Sequence, residues 1–223
     1  MTINRTYGQH GDACRAANAL DLVGGRWSLI VVRELVLGPK RFADLQEAVR
    51  GITPAVLTDR LRSLQQAGIV EQVVLPDLAR TRAYAVTDWG RGLESVLRAL
   101  GQWYSAGPDP ATSGGMTPDA VILAMRTMAG PQPGDLPPIA LRLYDGRRPD
   151  PPTRDYRLVT TGGMLVIEPG APDSPAATVT ADSTTWSDVL FGDLRLAQAE
   201  QADTVRISGD RAAVEQTISR YSP

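Results

Sequence analysis

The sequence is poor in the residues that build metal sites and thiol–imidazole sites. It holds one cysteine, Cys14, and one histidine, His10, among 223 residues. A lone cysteine excludes a disulfide within the chain, and the two residues together are too few for a zinc site of the Cys/His type. A phosphate loop and a nucleophile elbow are also missing. We therefore expect no metal, no cofactor, no catalytic residues and no enzymatic activity.

Long apolar runs are missing as well. The longest spans residues 120–125 and has six residues, where a membrane helix needs about twenty. The first ten residues contain no apolar stretch of the kind that a secretory signal requires. We expect a cytoplasmic chain with no membrane partner.

The overall composition, with 43% apolar and 22% charged residues, is typical of a globular protein.

Positive charge is concentrated in the first half of the chain. Residues 1–107 hold 13 Lys and Arg against 10 Asp and Glu, whereas residues 108–223 hold 10 against 15. Only the first part is suited to a polyanion such as DNA. Proline-rich sequence follows it and interrupts regular structure. We predict a first domain at 1–107, which is suited to DNA, a linker at 108–116 and a second domain at 117–223.

Apolar spacing in the first domain predicts a winged helix-turn-helix. Thr53 is suited to cap a helix that begins at Pro54, and a β-hairpin follows that helix as the wing. The predicted helices cover 14–23, 27–37, 42–49, 54–66 and 88–104, and the predicted strands cover 69–75 and 81–86. The last of these helices is strongly apolar on one side. It packs either on its own domain or against a second subunit.

Polar side chains of the helix at 54–66 point away from its leucine stripe. Such a helix can enter the major groove while the wing places arginines along phosphates or the minor groove. Solvation alone is the alternative explanation for a polar side. We exclude Arg60, because we expect it to pair with Asp21, Glu34 or another acid inside the domain. The predicted DNA-binding residues are Lys40, Arg41, Thr53, Ala55, Thr58, Asp59, Arg62, Arg80 and Arg82.

Five blocks in this region resemble the HxlR-type transcriptional regulators over about residues 10–105. The blocks are Cys14–Trp27, Gly38–Leu45, Gly51–Leu61, Gly68–Glu71 and Tyr84–Gly90. The resemblance implies a dimeric winged-helix DNA-binding protein whose first and last helices form the subunit interface. Because such a dimer is two-fold symmetric, we expect a palindromic double-stranded operator.

The second half predicts an α+β domain. A helix at 117–129 precedes short alternating strands at 139–144, 155–161, 164–168 and 176–180, and helical and strand patterns follow to the end of the chain. Gly162-Gly163 is a hairpin signal, so we expect antiparallel strands. The full fold class is therefore α+β, a winged helix-turn-helix followed by an antiparallel sheet with helices on one face.

Three segments of this half, at 176–182, 186–193 and 205–213, resemble the sterol-carrier-protein type of domain. The resemblance implies an apolar tunnel between the sheet and the helices. Such a tunnel would hold a hydrophobic effector. The candidate walls, for which ordinary core packing is the alternative interpretation, are Met125, Met164, Trp186, Leu190, Phe191 and Leu194.

These expectations combine into a dimeric, effector-responsive transcriptional repressor. Its partners are an operator duplex, a second copy of the chain and a hydrophobic small molecule. In the alternative, the second domain is only structural or dimerising, and the regulator is constitutive or responds to oxidation through Cys14.

Overall fold

The computed structural model describes residues 6–108, 114–129 and 134–221. Its contacts divide the chain into two compact units, Met1–Leu97 and Arg98–Pro223, here called the N-terminal and the C-terminal unit. Residues 109–113 of the predicted linker lie outside the described residues. The predicted domain ranges therefore stay a prediction.

The N-terminal unit has the expected order of helix, turn, helix and hairpin. Its elements are α1 Arg15–Val23, α2 Ser28–Leu35, α3 Phe42–Ala48, α4 Pro54–Gln66, β1 Val70–Val74, β2 Arg82–Val86, α5 Asp88–Arg91 and α6 Leu93–Ser105, of which α6 continues into the C-terminal unit. Strands β1 and β2 pair antiparallel from Val70 opposite Val86 to Val74 opposite Arg82. We call the hairpin formed by residues 70–86 the wing.

Helix α4 begins and ends where the sequence predicts. The Thr53 hydroxyl accepts a hydrogen bond from the backbone N–H of Val56 at 3.4 Å, and Pro54 takes the first helical position, where its missing N–H costs nothing. The leucines that recur at helical spacing face inward and are buried: Leu57, Leu61 and Leu64. This packing turns the polar side of α4 outward.

The single helix predicted over 88–104 is wrong. The chain forms α5, which ends at Arg91, and then α6, which begins at Leu93. The Thr87 hydroxyl caps α5 by accepting from the Gly90 N–H at 3.0 Å. A Cβ atom at Gly90 would clash with the backbone carbonyl of Ile69. The glycine therefore allows α5 to lie directly against the start of the wing.

The C-terminal unit is a five-stranded sheet with helices. Its elements are α7 Pro118–Met128, β3 Ile139–Tyr144, β4 Arg154–Thr161, β5 Met164–Pro169, β6 Ala177–Asp182, α8 Ser183–Phe191, α9 Leu196–Gln201, β7 Val205–Gly209 and α10 Arg211–Ile218. The strands lie side by side in the order β5-β4-β3-β6-β7. The last turns of α6 belong to this unit, where the Gln102 side-chain amide donates to the Thr127 carbonyl at 3.3 Å.

The prediction of a wholly antiparallel sheet is wrong, because β6 pairs parallel with β3. Strands β3, β4 and β5 form an antiparallel meander, so β5 runs in the same direction as β3. The segment 170–176 then carries the chain across to the other side of β3. Strand β6 therefore enters the sheet from the same end as β3, and the sheet is mixed.

The two faces of this sheet differ in character. One face, which we call the core face, is apolar and contacts the helices, with Ile139, Leu141, Leu158, Ile167 and Val179 all buried. The other, which we call the open face, carries polar side chains that include Arg142, Arg157, Thr178, Thr180 and Arg206. Ion pairs between neighbouring strands cross the open face, such as Arg142 with Asp155 at 3.0 Å. Within the described residues, no helix is both long and apolar enough to cross a membrane.

Candidate nucleic-acid interface

The outward side of α4 carries the side chains that the sequence assigns to base contact. Ala55, Thr58, Asp59 and Arg62 are all exposed, and Thr53 is exposed at the N-terminus of the helix. The Arg62 guanidinium lies 3.7 Å from the Asp59 carboxylate across one turn. Because both side chains are largely exposed, this ion pair is weak and leaves the guanidinium able to bind another partner. The structure therefore brings the predicted α4 residues together on one surface.

The wing presents two exposed arginines, Arg80 and Arg82. Arg80 adopts a left-handed backbone conformation with φ of 47°, which is uncommon for a residue other than glycine. The turn that forces this conformation is held by the Asp77 carboxylate, which accepts from the Thr81 N–H at 2.8 Å. The turn therefore fixes the place from which Arg80 extends.

Arg41 is tied to the same turn of the wing. Its guanidinium donates to the Asp77 carboxylate at 2.8 Å, and both side chains are partly exposed. Hydrogen bonds from Thr81, together with Arg41, hold the pKa of Asp77 below its ordinary value. Arg41 thus has an acidic partner that a DNA phosphate would have to replace. The sequence does not reveal Asp77 as this partner, although Pro76-Asp77 is a recognisable turn signal.

Lys40 is not available to phosphate, contrary to the prediction. Its residue is 7% exposed, and its ammonium group lies 2.7 Å from the Glu34 carboxylate, which is fully buried. The backbone of Lys40 also exchanges two hydrogen bonds with Tyr84 on β2, at 3.0 and 2.8 Å. Lys40 therefore joins the core of the unit to the wing. Glu34 is the single acidic residue of the mostly apolar α2, and this was the sequence signal for the partner of Lys40.

Arg60 does not form the ion pair that we expected. Asp21 accepts instead from the Tyr7 N–H at 2.9 Å, and Glu34 binds Arg33 and Lys40. The Arg60 guanidinium lies against Gly25, where any Cβ atom would clash with it. The second glycine of Gly24-Gly25 thus makes room for a side chain of α4.

Cys14 lies at the N-terminus of α1 and is exposed. The backbone N–H groups of Ala17 and Ala16, in the first turn of α1, lower the pKa of its thiol. A lowered pKa increases the fraction of thiolate, which is the reactive form.

Apolar side chains of α6 are exposed along one side of the helix. They recur at spacings of three and four residues, and Trp103 is 74% exposed: Val96, Leu100, Trp103 and Tyr104. None of the residues of α6 is buried. An apolar helix side of this kind is suited to contact with another protein surface.

The candidate tunnel walls of the C-terminal unit are mostly core. Met125, Trp186 and Leu190 are buried. Phe191 packs edge-to-face on Tyr221 with 5.5 Å between ring centroids, and Leu194 is half-buried between α8 and α9.

Met164 does not belong to this group of tunnel walls. It is 64% exposed, because its pairing with Thr161 places it on the open face while its neighbour Leu165 points to the core face. Met164 as a tunnel wall is therefore wrong. In the part of the chain that the structure describes, no group of three or more His, Cys, Asp or Glu side chains is arranged to hold a metal ion.

Comparison with known proteins identifies related transcriptional regulators. Residues 22–110 match the family model described as HxlR-like helix-turn-helix. The regulator YvaP of Bacillus subtilis is 30% identical over 97 residues, which cover 44% of this chain and 90% of YvaP. The regulator YodB of the same organism is 35% identical over 86 residues, which cover 39% of this chain and 77% of YodB. The solved structure of reduced YodB aligns with a TM-score of 0.40 and 32% identity, over 45% of this chain and 99% of that one.

These relatives and the helix-turn-helix geometry define the class of protein. It is a DNA-binding transcriptional regulator and not an enzyme. The chain belongs to the HxlR-like helix-turn-helix family.

Proposed function

We propose that the protein is a homodimeric repressor that reads a palindromic operator with α4 and the wing. One observation carries the proposal. The polar side of α4, with Thr58, Asp59 and Arg62, is exposed in the same unit as the wing arginines Arg80 and Arg82. In this mode, α4 enters the major groove and the wing contacts phosphates or the minor groove.

Each side chain has a distinct part in this mode. Arg62 can donate two hydrogen bonds to the O6 and N7 atoms of a guanine, and Thr58 can contact a base edge or a thymine methyl group. Arg80 and Arg82 neutralise phosphates, which supplies affinity without sequence preference. Arg62 therefore sets specificity, whereas the wing arginines set the strength of binding.

The test is selection of bound duplexes from a random library, followed by titration of the selected operator at several salt concentrations. Arg62→Ala should cost about 1–3 kcal/mol on the selected operator and relax one base position. Arg82→Ala should weaken binding to all duplexes alike. It should also make the slope of log K against log salt shallower by about 0.9, which is the contribution of one phosphate contact. Arg142→Ala removes a comparable ion-paired arginine from the C-terminal unit and should change neither property. Unchanged binding by both Arg62→Ala and Arg82→Ala would contradict the proposal.

The exposed apolar side of α6, with α1, is the proposed subunit interface. Leu20 of α1 and Leu100 and Trp103 of α6 are all exposed in the single chain. A two-fold dimer built there would present two copies of α4 to half-sites about 34 Å apart.

The C-terminal unit is the proposed effector unit, of the sterol-carrier type. The order of α7, a three-stranded meander, a crossover to β6 and helices on the core face supports this proposal. Two polar groups in the interior also support it, because the Trp186 indole N–H and the Tyr221 hydroxyl are buried without a hydrogen-bond partner among the described residues. A hydrophobic molecule with an acceptor and a donor atom would satisfy both. Mass spectrometry of the purified protein under non-denaturing conditions tests for such a bound molecule.

A second candidate function is regulation through Cys14. Exposure and the lowered pKa of its thiol favour this reading. With one cysteine in each chain, the available products are an adduct or a disulfide between two subunits. Loss of operator binding after treatment with diamide, and no loss in Cys14→Ser, would support this second function.

A further inference from the structure

A cleft opens on the open face of the C-terminal sheet. Its volume is about 330 Å³, and its lining residues are Tyr144, Pro151, Thr153, Thr180, Asp203 and Arg206. This volume is at the lower end of the range of roughly 300–1,000 Å³ for small-molecule sites. At about 30 Å³ for each water-sized group, the cleft has room for roughly ten non-hydrogen atoms.

Neighbouring strands bring the lining residues together. Thr180 on β6 lies directly opposite Arg206 on β7, and Tyr144 ends β3, which is the other neighbour of β6. Val179 and Ala181, on either side of Thr180, point to the core face and are buried. The cleft is therefore separate from the interior between the sheet and the helices.

The two charged residues that line the cleft form an ion pair. The Nε and Nη2 atoms of Arg206 donate to the two carboxylate oxygens of Asp203 at 2.6 and 2.5 Å. Asp203 has φ of 58° at the end of α9, a conformation in which glycine is usual. Hydrogen bonding within the pair lowers the pKa of Asp203 and raises that of Arg206. Both groups therefore stay ionised, and the pair contributes no net charge.

Three hydroxyl groups complete the lining. Among the described residues, the side chains of Tyr144, Thr153 and Thr180 have no hydrogen-bond partner within the protein. Burial and the neighbouring Asp182 carboxylate raise the pKa of Tyr144, so its phenol stays neutral. Each hydroxyl can both donate and accept a hydrogen bond. The Tyr144 and Pro151 rings supply apolar surface beside these polar groups.

We propose that the cleft binds an uncharged ring compound of about ten non-hydrogen atoms that carries hydroxyl groups. The rings of Tyr144 and Pro151 contact the apolar part of the ligand, and the hydroxyls of Tyr144, Thr153 and Thr180 contact its substituents. Because the charges of Asp203 and Arg206 balance, the pair does not favour binding of a ligand with a net negative or positive charge. This site adds to the effector role proposed for the C-terminal unit, and its occupancy can be measured without DNA.

The test uses three probes of similar size and different charge. They are 4-hydroxybenzyl alcohol, which is neutral, the anion 4-hydroxybenzoate and the cation 4-hydroxybenzylamine. Saturation-transfer NMR on the full chain should show binding of the neutral alcohol with a Kd on the order of 1 mM, as expected for so small a ligand. Both charged probes should bind at least about threefold more weakly, because each would leave an unpaired charge beside the balanced ion pair.

Matched variants locate the binding. Thr180→Val keeps the shape of the side chain and removes its hydroxyl, and Tyr144→Phe does the same for the phenol. Each should weaken the neutral probe at least about threefold. Thr178→Val changes the same face of the same strand, opposite Ser208 and outside the cleft lining, and should have no effect. A thermal melt of each variant confirms folding.

Three results would overturn the proposal: no binding of the neutral alcohol, equal binding of the charged probes, or full binding by Thr180→Val. Operator binding is measured separately in the same preparations. A failure of this site is therefore distinguishable from a failure of the DNA-binding function.

Discussion

Arg41 and Asp77, which are 36 positions apart in the sequence, are joined by a hydrogen-bonded ion pair of 2.8 Å at the turn of the wing. The pair ties the segment before α3 to the wing. It also occupies a guanidinium that the sequence predicts to contact DNA. For Arg41 to bind a phosphate, that phosphate would have to compete with the Asp77 carboxylate.

Asp77→Asn should strengthen operator binding and steepen its salt dependence. The asparagine oxygen can still accept from the Thr81 N–H, but it no longer holds the positive charge of Arg41. If Arg41 then neutralises one more phosphate, the slope of log K against log salt should become steeper by about 0.9. Fluorescence anisotropy over a salt series measures this slope. Weaker binding, or an unchanged slope, would mean that Arg41 serves only to hold the wing.

Glu34→Gln should destabilise the N-terminal unit. Removing the Glu34 charge leaves the buried ammonium group of Lys40 without its carboxylate partner, which typically costs about 3 kcal/mol of unfolding free energy. Urea denaturation followed by circular dichroism measures this change. Glu71→Gln, on the exposed part of β1, is the control and should stay within about 0.5 kcal/mol of the wild type. Equal stabilities of the two variants would contradict a structural role for the buried pair.

Trp103→Glu should shift the protein from dimer to monomer. The change places a charge on the apolar side of α6, where a subunit contact would have to bury it. We expect the dimer dissociation constant to rise at least about tenfold in sedimentation analysis. Ser105 lies two residues further along and nearly opposite on the helix, so Ser105→Glu should leave the dimer intact. If the Trp103→Glu protein remains dimeric, the subunit interface does not lie on this side of α6.

The Cys14 thiol should react with iodoacetamide at lower pH than an ordinary cysteine. Its pKa is lowered in the folded chain by the backbone N–H groups of Ala17 and Ala16, so the thiolate forms earlier as pH rises. The rate of alkylation, followed by mass spectrometry, should reach half its maximum at lower pH in the folded protein than in the same protein in urea. Since the chain has no other cysteine, the measurement needs no background correction. Coincident curves would remove the basis for a sensing role.

Local signals explain which parts of the fold the sequence could predict. Thr53-Pro54 marks the start of α4, and the inward leucines mark its buried side, so its bounds are confirmed exactly. The strand at 139–144 is confirmed in the same way, because its alternation matches a sheet with one buried face. Both features depend on neighbouring residues alone.

Long-range partners explain the rest. Lys40 and Arg41 look alike as a basic pair, but the backbone bridge to Tyr84 turns the first inward and leaves the second exposed. Met164 lies on the open face because of its register with β4. The parallel entry of β6 follows from the crossover at 170–176, which no local pattern specifies.

The two backbone hydrogen bonds between Lys40 and Tyr84 add an isolated antiparallel β-bridge to the edge of the hairpin. Lys40 is held in turn by Glu34 of α2, which is buried and cannot contact DNA. The orientation of the wing therefore depends on a residue in the interior of the unit. Genetic screens for altered operator preference should accordingly recover changes at remote, interior positions such as Glu34, alongside those at the protein–DNA contact itself.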